Sequence, residues 1–166
     1  MPRITLPDGS VREFDQPVSA YEVAESIGPR LAKAAVGCKI DDELSDLSTI
    51  IDRDCTLAIV TPSRKSASGK SVVDDDALFL LRHSCAHVMA EAIQRVIPEA
   101  QLVYGPPVEN GFFYDIAFPE DRHLREADFE AIEKELAAIV KEDRTFSRYE
   151  PPHATGLAKL PPEDPK

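Results

Sequence analysis

Residues 3–14 read Arg-Ile-Thr-Leu-Pro-Asp-Gly-Ser-Val-Arg-Glu-Phe, and this stretch decides the fold of the first part of the chain. Apolar and polar residues alternate on both sides of Pro-Asp-Gly-Ser, which is a sequence typical of a tight turn. The pattern therefore predicts a β-hairpin whose strands flank residues 7–10.

A short helix is predicted after this hairpin. Ser19 and Glu22 have the spacing of a capping box, in which each side chain accepts a hydrogen bond from the other residue's backbone N–H. Gly28 and Pro29 then end the helix. Strands are expected at residues 36–40 and 56–61, so residues 1–61 are predicted to form a small α+β domain.

Residues 62–73 are small and polar, and we expect them to be a flexible linker. A second, α/β unit is predicted over residues 74–146, with a long central helix that begins near residue 74 and ends before Pro98. A strand at 101–105, a turn at Asn110 and Gly111, and alternating aromatic residues at 112–118 predict an aromatic hairpin. A further helix is expected from about residue 125 to residue 143.

The helical period also predicts which side chains of the two long helices are buried. On the first long helix they are Leu81, Cys85, Val88 and Ala92, and on the second they are Phe129, Ile132, Leu136, Ile139 and Val140. Residues 147–166 show no apolar period and hold five of the 14 prolines, so we expect this tail to be disordered.

Composition restricts the classes of function. The 166 residues carry 19 basic and 30 acidic side chains, a net charge of −11, which argues against binding DNA or RNA by bulk electrostatics. The absence of a long apolar run predicts no membrane span, and the absence of a signal core predicts a cytoplasmic protein. Three cysteines with no paired spacing are expected to be reduced thiols.

Two histidines are the main candidates for chemistry. His83 and His87 are four residues apart on the predicted helix, so they lie on one face, roughly opposite the expected core stripe. Imidazole can act there as base, acid, hydrogen-bond donor or metal ligand, although a solvated polar face has the same spacing. No further ligand follows at a suitable position, so no metal site is predicted.

The same residues resemble a known family. Residues 1–10, the Ile27-Gly28-Pro29 segment, Arg82 to His87 and the Gly105 to Asp115 stretch occur in the order and spacing of a bacterial threonyl-tRNA synthetase. The resemblance covers about residues 1–147. It implies that residues 1–61 are a TGS domain with a ubiquitin-like β-grasp fold, and that residues 74–146 are part of an editing domain.

The resemblance also implies an activity and its residues. The family attaches threonine to tRNA with ATP and hydrolyses the seryl-tRNA that it forms in error. His83 and His87 are then expected to be catalytic residues that line the editing pocket, and Tyr114 to be a substrate-binding residue. The partner is tRNA, bound weakly by this chain, and full-length members are homodimers.

The departures from the family lead to two alternatives. The Cys-x-x-x-His motif and the lysine that complete the family's editing pocket do not occur here, nor does the core that carries ATP and zinc, so no cofactor is expected in this chain. We expect an incomplete fragment that is inactive alone. The alternatives are a free-standing trans-editing hydrolase and a non-enzymatic TGS-type module that binds RNA or protein.

Overall fold

A computed structural model describes residues 1–66 and 68–144, together with Pro152 and Thr155. The chain divides into two compact units, Met1–Leu81 and Arg82–Lys166. The predicted tail lies outside the described residues apart from those two positions. None of the helices in the described part is both long and apolar enough to cross a membrane.

The first unit is built around a five-stranded sheet. The strands of the whole unit are β1 (Arg3–Thr5), β2 (Val11–Glu13), β3 (Val18–Ser19), β4 (Gly37–Ile40), β5 (Glu43–Ser45), β6 (Ile50–Ile51), β7 (Cys55–Val60), β8 (Ser63–Lys65) and β9 (Ser71–Val73). The sheet order is β2-β1-β7-β4-β5, and β1 runs parallel to β7 while the other neighbours are antiparallel. Helices α1 (Ala20–Ile27) and α2 (Pro29–Ala34) follow β3, which pairs with β6.

Local chemistry explains the first elements, and the predictions for them are confirmed. Gly9 has a φ of 81° in the turn between β1 and β2, a conformation that glycine adopts without steric cost. The Ser19 hydroxyl accepts from the Glu22 N–H at 3.2 Å, and the Glu22 carboxylate accepts from the Ser19 N–H at 2.7 Å. The capping box therefore starts α1 where the sequence predicts it.

The core of the first unit lies between the sheet and α1. Ile4, Val23 and Leu57 are among its largest fully buried side chains. Cys38 is also fully buried there, and its Sγ donates to the carbonyl oxygens of Ser45 and Asp46 at 3.4 and 3.5 Å. Burial raises the pKa of the Cys38 thiol to about 11.

The segment predicted as a linker contains two short paired strands. Strands β8 and β9 form an antiparallel hairpin in which Ser63 is opposite Val73. Asp74 then caps the long helix α3 (Asp75–Val96), since its carboxylate accepts from the N–H groups of Asp76 and Ala77 at 3.0 and 3.1 Å. Arg64 contacts the same carboxylate at 3.3 Å.

The second unit joins the C-terminal part of α3 to two short ladders and a further helix. The remaining elements are β10 (Gln101–Tyr104), β11 (Pro107–Val108), β12 (Gly111–Phe112), β13 (Asp115–Ala117) and α4 (Glu126–Glu142). β10 pairs with β13 and β11 pairs with β12, both antiparallel. The hairpin and the last helix are therefore confirmed, and every second side chain from Phe112 to Phe118 is half-buried.

The predicted core stripes are only partly correct. Leu81 and Cys85 on α3, and Phe129 and Val140 on α4, are exposed. The buried residues that form the core of this unit are Ala92, Ile93, Ile97, Ala100, Ile132 and Ile139. Periodicity identifies an apolar stripe, whereas burial depends on which part of that stripe another element covers.

A charge network also joins α3 to α4. The Arg95 guanidinium donates to Glu91 at 2.8 Å on its own helix, and to Glu135 and Glu142 on α4 at 3.4 and 2.8 Å. Arg144 contacts Glu91 and Glu142 at 2.6 and 3.0 Å. Hydrogen bonds from Arg95 hold the pKa of Glu142 below its usual value.

Candidate functional site

His83 and His87 form a stacked pair on α3. Their Nε2 atoms are 3.0 Å apart, their ring centroids are 4.8 Å apart, and the ring planes differ by 28°. Both residues are exposed. The helix produces this arrangement because residues i and i+4 lie one turn apart on the same face.

The short distance between the two nitrogens determines what the pair can do. A hydrogen bond between two imidazoles requires an N–H on one Nε2 and a lone pair on the other. One ring is therefore a donor and the other an acceptor toward its partner. Such a pair can orient a water molecule and accept its proton, which is the role of a general base in hydrolysis.

The turn of α3 that carries the histidines is also connected to the β11–β12 hairpin. Arg82, next to His83, donates to the carbonyl oxygen of Val108 at 3.3 Å. Ala86 and Ala90, on the same half of the helix as the histidines, are fully or almost fully buried. That half of the helix is therefore partly covered, although both imidazoles are exposed.

Tyr114 lies in a different element, between β12 and β13, and its ring packs against Gly105. A Cβ atom added to Gly105 would lie within 2.6 Å of Tyr114 Cγ, so only a glycine leaves room for the ring. Tyr114 is half-buried. On the neighbouring positions, the rings of Tyr104 and Phe113 meet edge to face with centroids 6.4 Å apart.

The structure thus brings together two of the three predicted site residues, His83 and His87, and places Tyr114 on the hairpin. Sequence reasoning missed Arg82 and Gly105 as residues that fix the hairpin. No sequence signal marks Gly105, because only the register of the two ladders, around a turn at Glu109 and Asn110, places it opposite Tyr114. In the described residues, no group of three or more histidine, cysteine or acidic side chains is placed to hold a metal ion.

Comparison with known proteins identifies the relatives of this chain. The TGS domain family matches residues 2–61. A threonine–tRNA ligase of Burkholderia vietnamiensis is 48% identical over 148 residues, which are 89% of this chain and 21% of that protein. Those of Paramagnetospirillum magneticum and Laribacter hongkongensis are 49% and 46% identical, over 90% and 95% of this chain and 22% and 23% of theirs.

The match extends well beyond the TGS domain. It includes most of the chain, yet the chain spans only about a fifth of the length of these relatives. The mixed α/β architecture, with a ubiquitin-like first domain, agrees with the expected fold class. Residues 2–61 therefore belong to the TGS family, and the chain as a whole is similar to the N-terminal part of the threonine–tRNA ligases.

Proposed function

We propose that this chain supplies the TGS domain and part of a hydrolytic editing domain to a threonine–tRNA ligase activity, and that His83 and His87 line the site that hydrolyses seryl-tRNA. The observation that carries the proposal is the stacked pair of exposed imidazoles, with 3.0 Å between their Nε2 atoms. This pair lies in a segment that matches threonine–tRNA ligases at close to half identity.

The need for such a site follows from the substrates of the ligases. Serine and threonine differ by one methyl group, and a binding pocket discriminates against a missing methyl group by only about 1–3 kcal/mol. Hydrolysis of the wrong ester supplies the remaining selectivity. The required step is attack of water on the ester carbonyl, with one imidazole accepting the water's proton. The bond between the carbonyl carbon and the tRNA oxygen then breaks, and the same proton passes from the imidazole to that oxygen, which leaves as the tRNA hydroxyl.

The histidine pair provides only one wall of such a site. The ester must be held near the attacking water, and a displacement of about 1 Å can reduce the rate on the order of a hundredfold. The net charge of −11 also opposes the approach of tRNA, itself a polyanion. We therefore propose that the chain alone binds tRNA weakly and hydrolyses seryl-tRNA poorly, and we assign no residue here to ATP or zinc.

A chimera provides the test. Residues 1–144 replace the matching segment of the Burkholderia vietnamiensis ligase, and seryl-tRNA hydrolysis is followed by loss of the labelled ester. His83→Ala or His87→Ala is expected to reduce the rate by about a hundredfold or more, as for loss of a general base. Cys85→Ala is the matched control, because Cys85 is exposed on the same helix between the two histidines.

The outcomes separate the alternatives. Hydrolysis by the chimera that is insensitive to both histidine substitutions would reject the proposed site. Hydrolysis by the 166-residue chain alone, lost in His83→Ala, would favour a free-standing trans-editing enzyme. RNA binding without hydrolysis in either protein would favour a non-enzymatic TGS module.

A further inference from the structure

We propose that Gly105 is a positioning residue that sets the orientation of the Tyr114 ring in the ester site. This inference rests on the proposed function, and it takes Tyr114 as the substrate-binding residue of that site, the role that the family resemblance implies. Gly105 contributes by having no side chain, because any Cβ atom there would occupy the space that the Tyr114 ring fills.

The strand register places the two residues opposite each other. Tyr104 pairs with Asp115 in the β10–β13 ladder, and Pro107 pairs with Phe112 in the β11–β12 ladder. Two residues on each strand separate the ladders, so counting inward from Tyr104 and Asp115 puts Gly105 opposite Tyr114. The ladders are interrupted where Pro106 and Pro107, which have no N–H to donate, follow Gly105.

Space, and not backbone conformation, requires glycine at this position. Gly105 does not have the positive φ in the left-handed region that Gly9, Gly69 and Gly111 have. A Cβ at Gly105 would overlap Cγ, Cδ2 and Cε2 of Tyr114. Since Cγ is the first ring atom, rotation of the ring about χ2 cannot relieve the overlap, and the whole ring must move by a change in χ1.

The rest of the hairpin holds this arrangement in place. Arg82 donates to the Val108 carbonyl oxygen at 3.3 Å, which connects the β11–β12 ladder to the turn of α3 that carries His83. The Tyr114 ring is therefore held by strand pairing on both sides and by the flat surface of Gly105. A ring fixed in this way needs little further ordering when a substrate binds, which favours binding.

The test uses the full chain and solution NMR. In the wild type the Tyr114 ring current is expected to shift the Gly105 Hα signals upfield, and Tyr114→Leu is expected to abolish the shift. The probe for the site is 3′-serylamino-3′-deoxyadenosine, an amide analogue of the ester that is not readily hydrolysed. Its dissociation constant is measured from the chemical-shift changes of residues on α3.

Gly105→Ala is expected to weaken binding of the analogue by about three- to tenfold, the effect of one lost aromatic contact. Gly28→Ala is the matched control, because Gly28 is extended (φ 170°) and an added Cβ would meet nothing within 4 Å. The double variant Gly105→Ala/Tyr114→Ala has no Cγ at position 114 and so removes the overlap; it is expected to fold, and to bind the analogue as Tyr114→Ala does alone.

Each contrary result has a distinct meaning. A further loss of binding when Gly105→Ala is added to Tyr114→Ala would show that Gly105 does not act through the ring, and would overturn the inference. Unchanged analogue binding in Gly105→Ala, with the Tyr114 signals displaced, would overturn it while leaving the proposed function intact. Absence of any analogue binding by the wild type would overturn the inference, because the inference places the fixed ring beside the substrate. The role of the histidine pair in hydrolysis is decided separately by the chimera.

Discussion

Arg122 and Asp128 form a two-point ion pair at the start of α4, with N–O distances of 2.9 and 2.8 Å. The same carboxylate accepts from the Arg125 N–H at 2.8 Å. These hydrogen bonds, the one from Arg122 first, lower the pKa of Asp128 from 3.8 to about 2. The carboxylate is thus stabilised in its charged form in the folded chain.

A fall in pH is therefore expected to destabilise the start of α4 within a defined pH range. Because the folded pKa lies below the unfolded value, the pair stabilises the fold above about pH 4, and its contribution is lost as the pH falls toward about 2. NMR of the Asp128 carboxyl carbon should show a midpoint near 2, and Arg122→Gln should raise it. A wild-type midpoint near 3.8 would contradict the ion pair.

The histidine pair predicts a specific distribution of protons. With 3.0 Å between the Nε2 atoms, a neutral pair has one Nε2 protonated and the other not. Long-range proton–nitrogen NMR spectra near pH 8 should therefore show one Nε2 signal typical of an N–H and one typical of a lone pair. Two protonated Nε2 atoms would show that the rings do not bond to each other in solution.

The three cysteines should react at different rates. Cys38 and Cys55 are buried, and burial raises the pKa of both thiols, so little thiolate is present and reagents have poor access. Cys85 is exposed. A thiol reagent at about pH 8 should modify Cys85 quickly and the other two only after denaturation. Cys85→Ser should then abolish the fast phase, and a remaining fast phase would contradict the buried core.

Two apolar residues on α4 should respond differently to truncation. Ile132 is 7% exposed and packs in the core of the second unit, so Ile132→Ala should lower the free energy of unfolding by about 2–5 kcal/mol. Val140 is 70% exposed, and Val140→Ala should change the free energy of unfolding by less than about 0.5 kcal/mol. Urea unfolding followed by circular dichroism measures both, and equal effects would contradict the packing.

Features encoded in a few adjacent residues could be predicted from the sequence. The turn at Gly9 and the Ser19 capping box depend on local hydrogen bonds and backbone preferences, which the residues determine themselves. The Asn110-Gly111 motif also indicates the second hairpin, although the turn residues are Glu109 and Asn110 and Gly111 begins β12. The i,i+4 spacing likewise places His83 and His87 on one face. Both imidazoles are exposed, as expected. The core stripe expected opposite them is wrong at this turn, because Leu81 and Cys85 are exposed whereas Ala86 and Ala90, on the histidine half, are buried.

Features that depend on distant parts of the chain could not be predicted in this way. The hairpin of β8 and β9 lies in a segment whose serines and lysines are typical of linkers, and strands of three residues have no measurable period. Leu81 and Val140 have apolar side chains at helical spacing but remain exposed. The contact between Gly105 and Tyr114 required the register of two ladders, which a single sequence does not specify.

The interrupted hairpin also restricts where this segment can change in length. One residue inserted beside Gly105 or Tyr114 would separate the two and turn the side chains beyond it to the opposite face, since strand side chains alternate. The turn at Glu109 and Asn110 is the tip of the hairpin and adjoins only the β11–β12 ladder. A longer loop there therefore leaves both ladders in register. Insertions are therefore tolerated at the tip of the hairpin and excluded a few residues away on either strand.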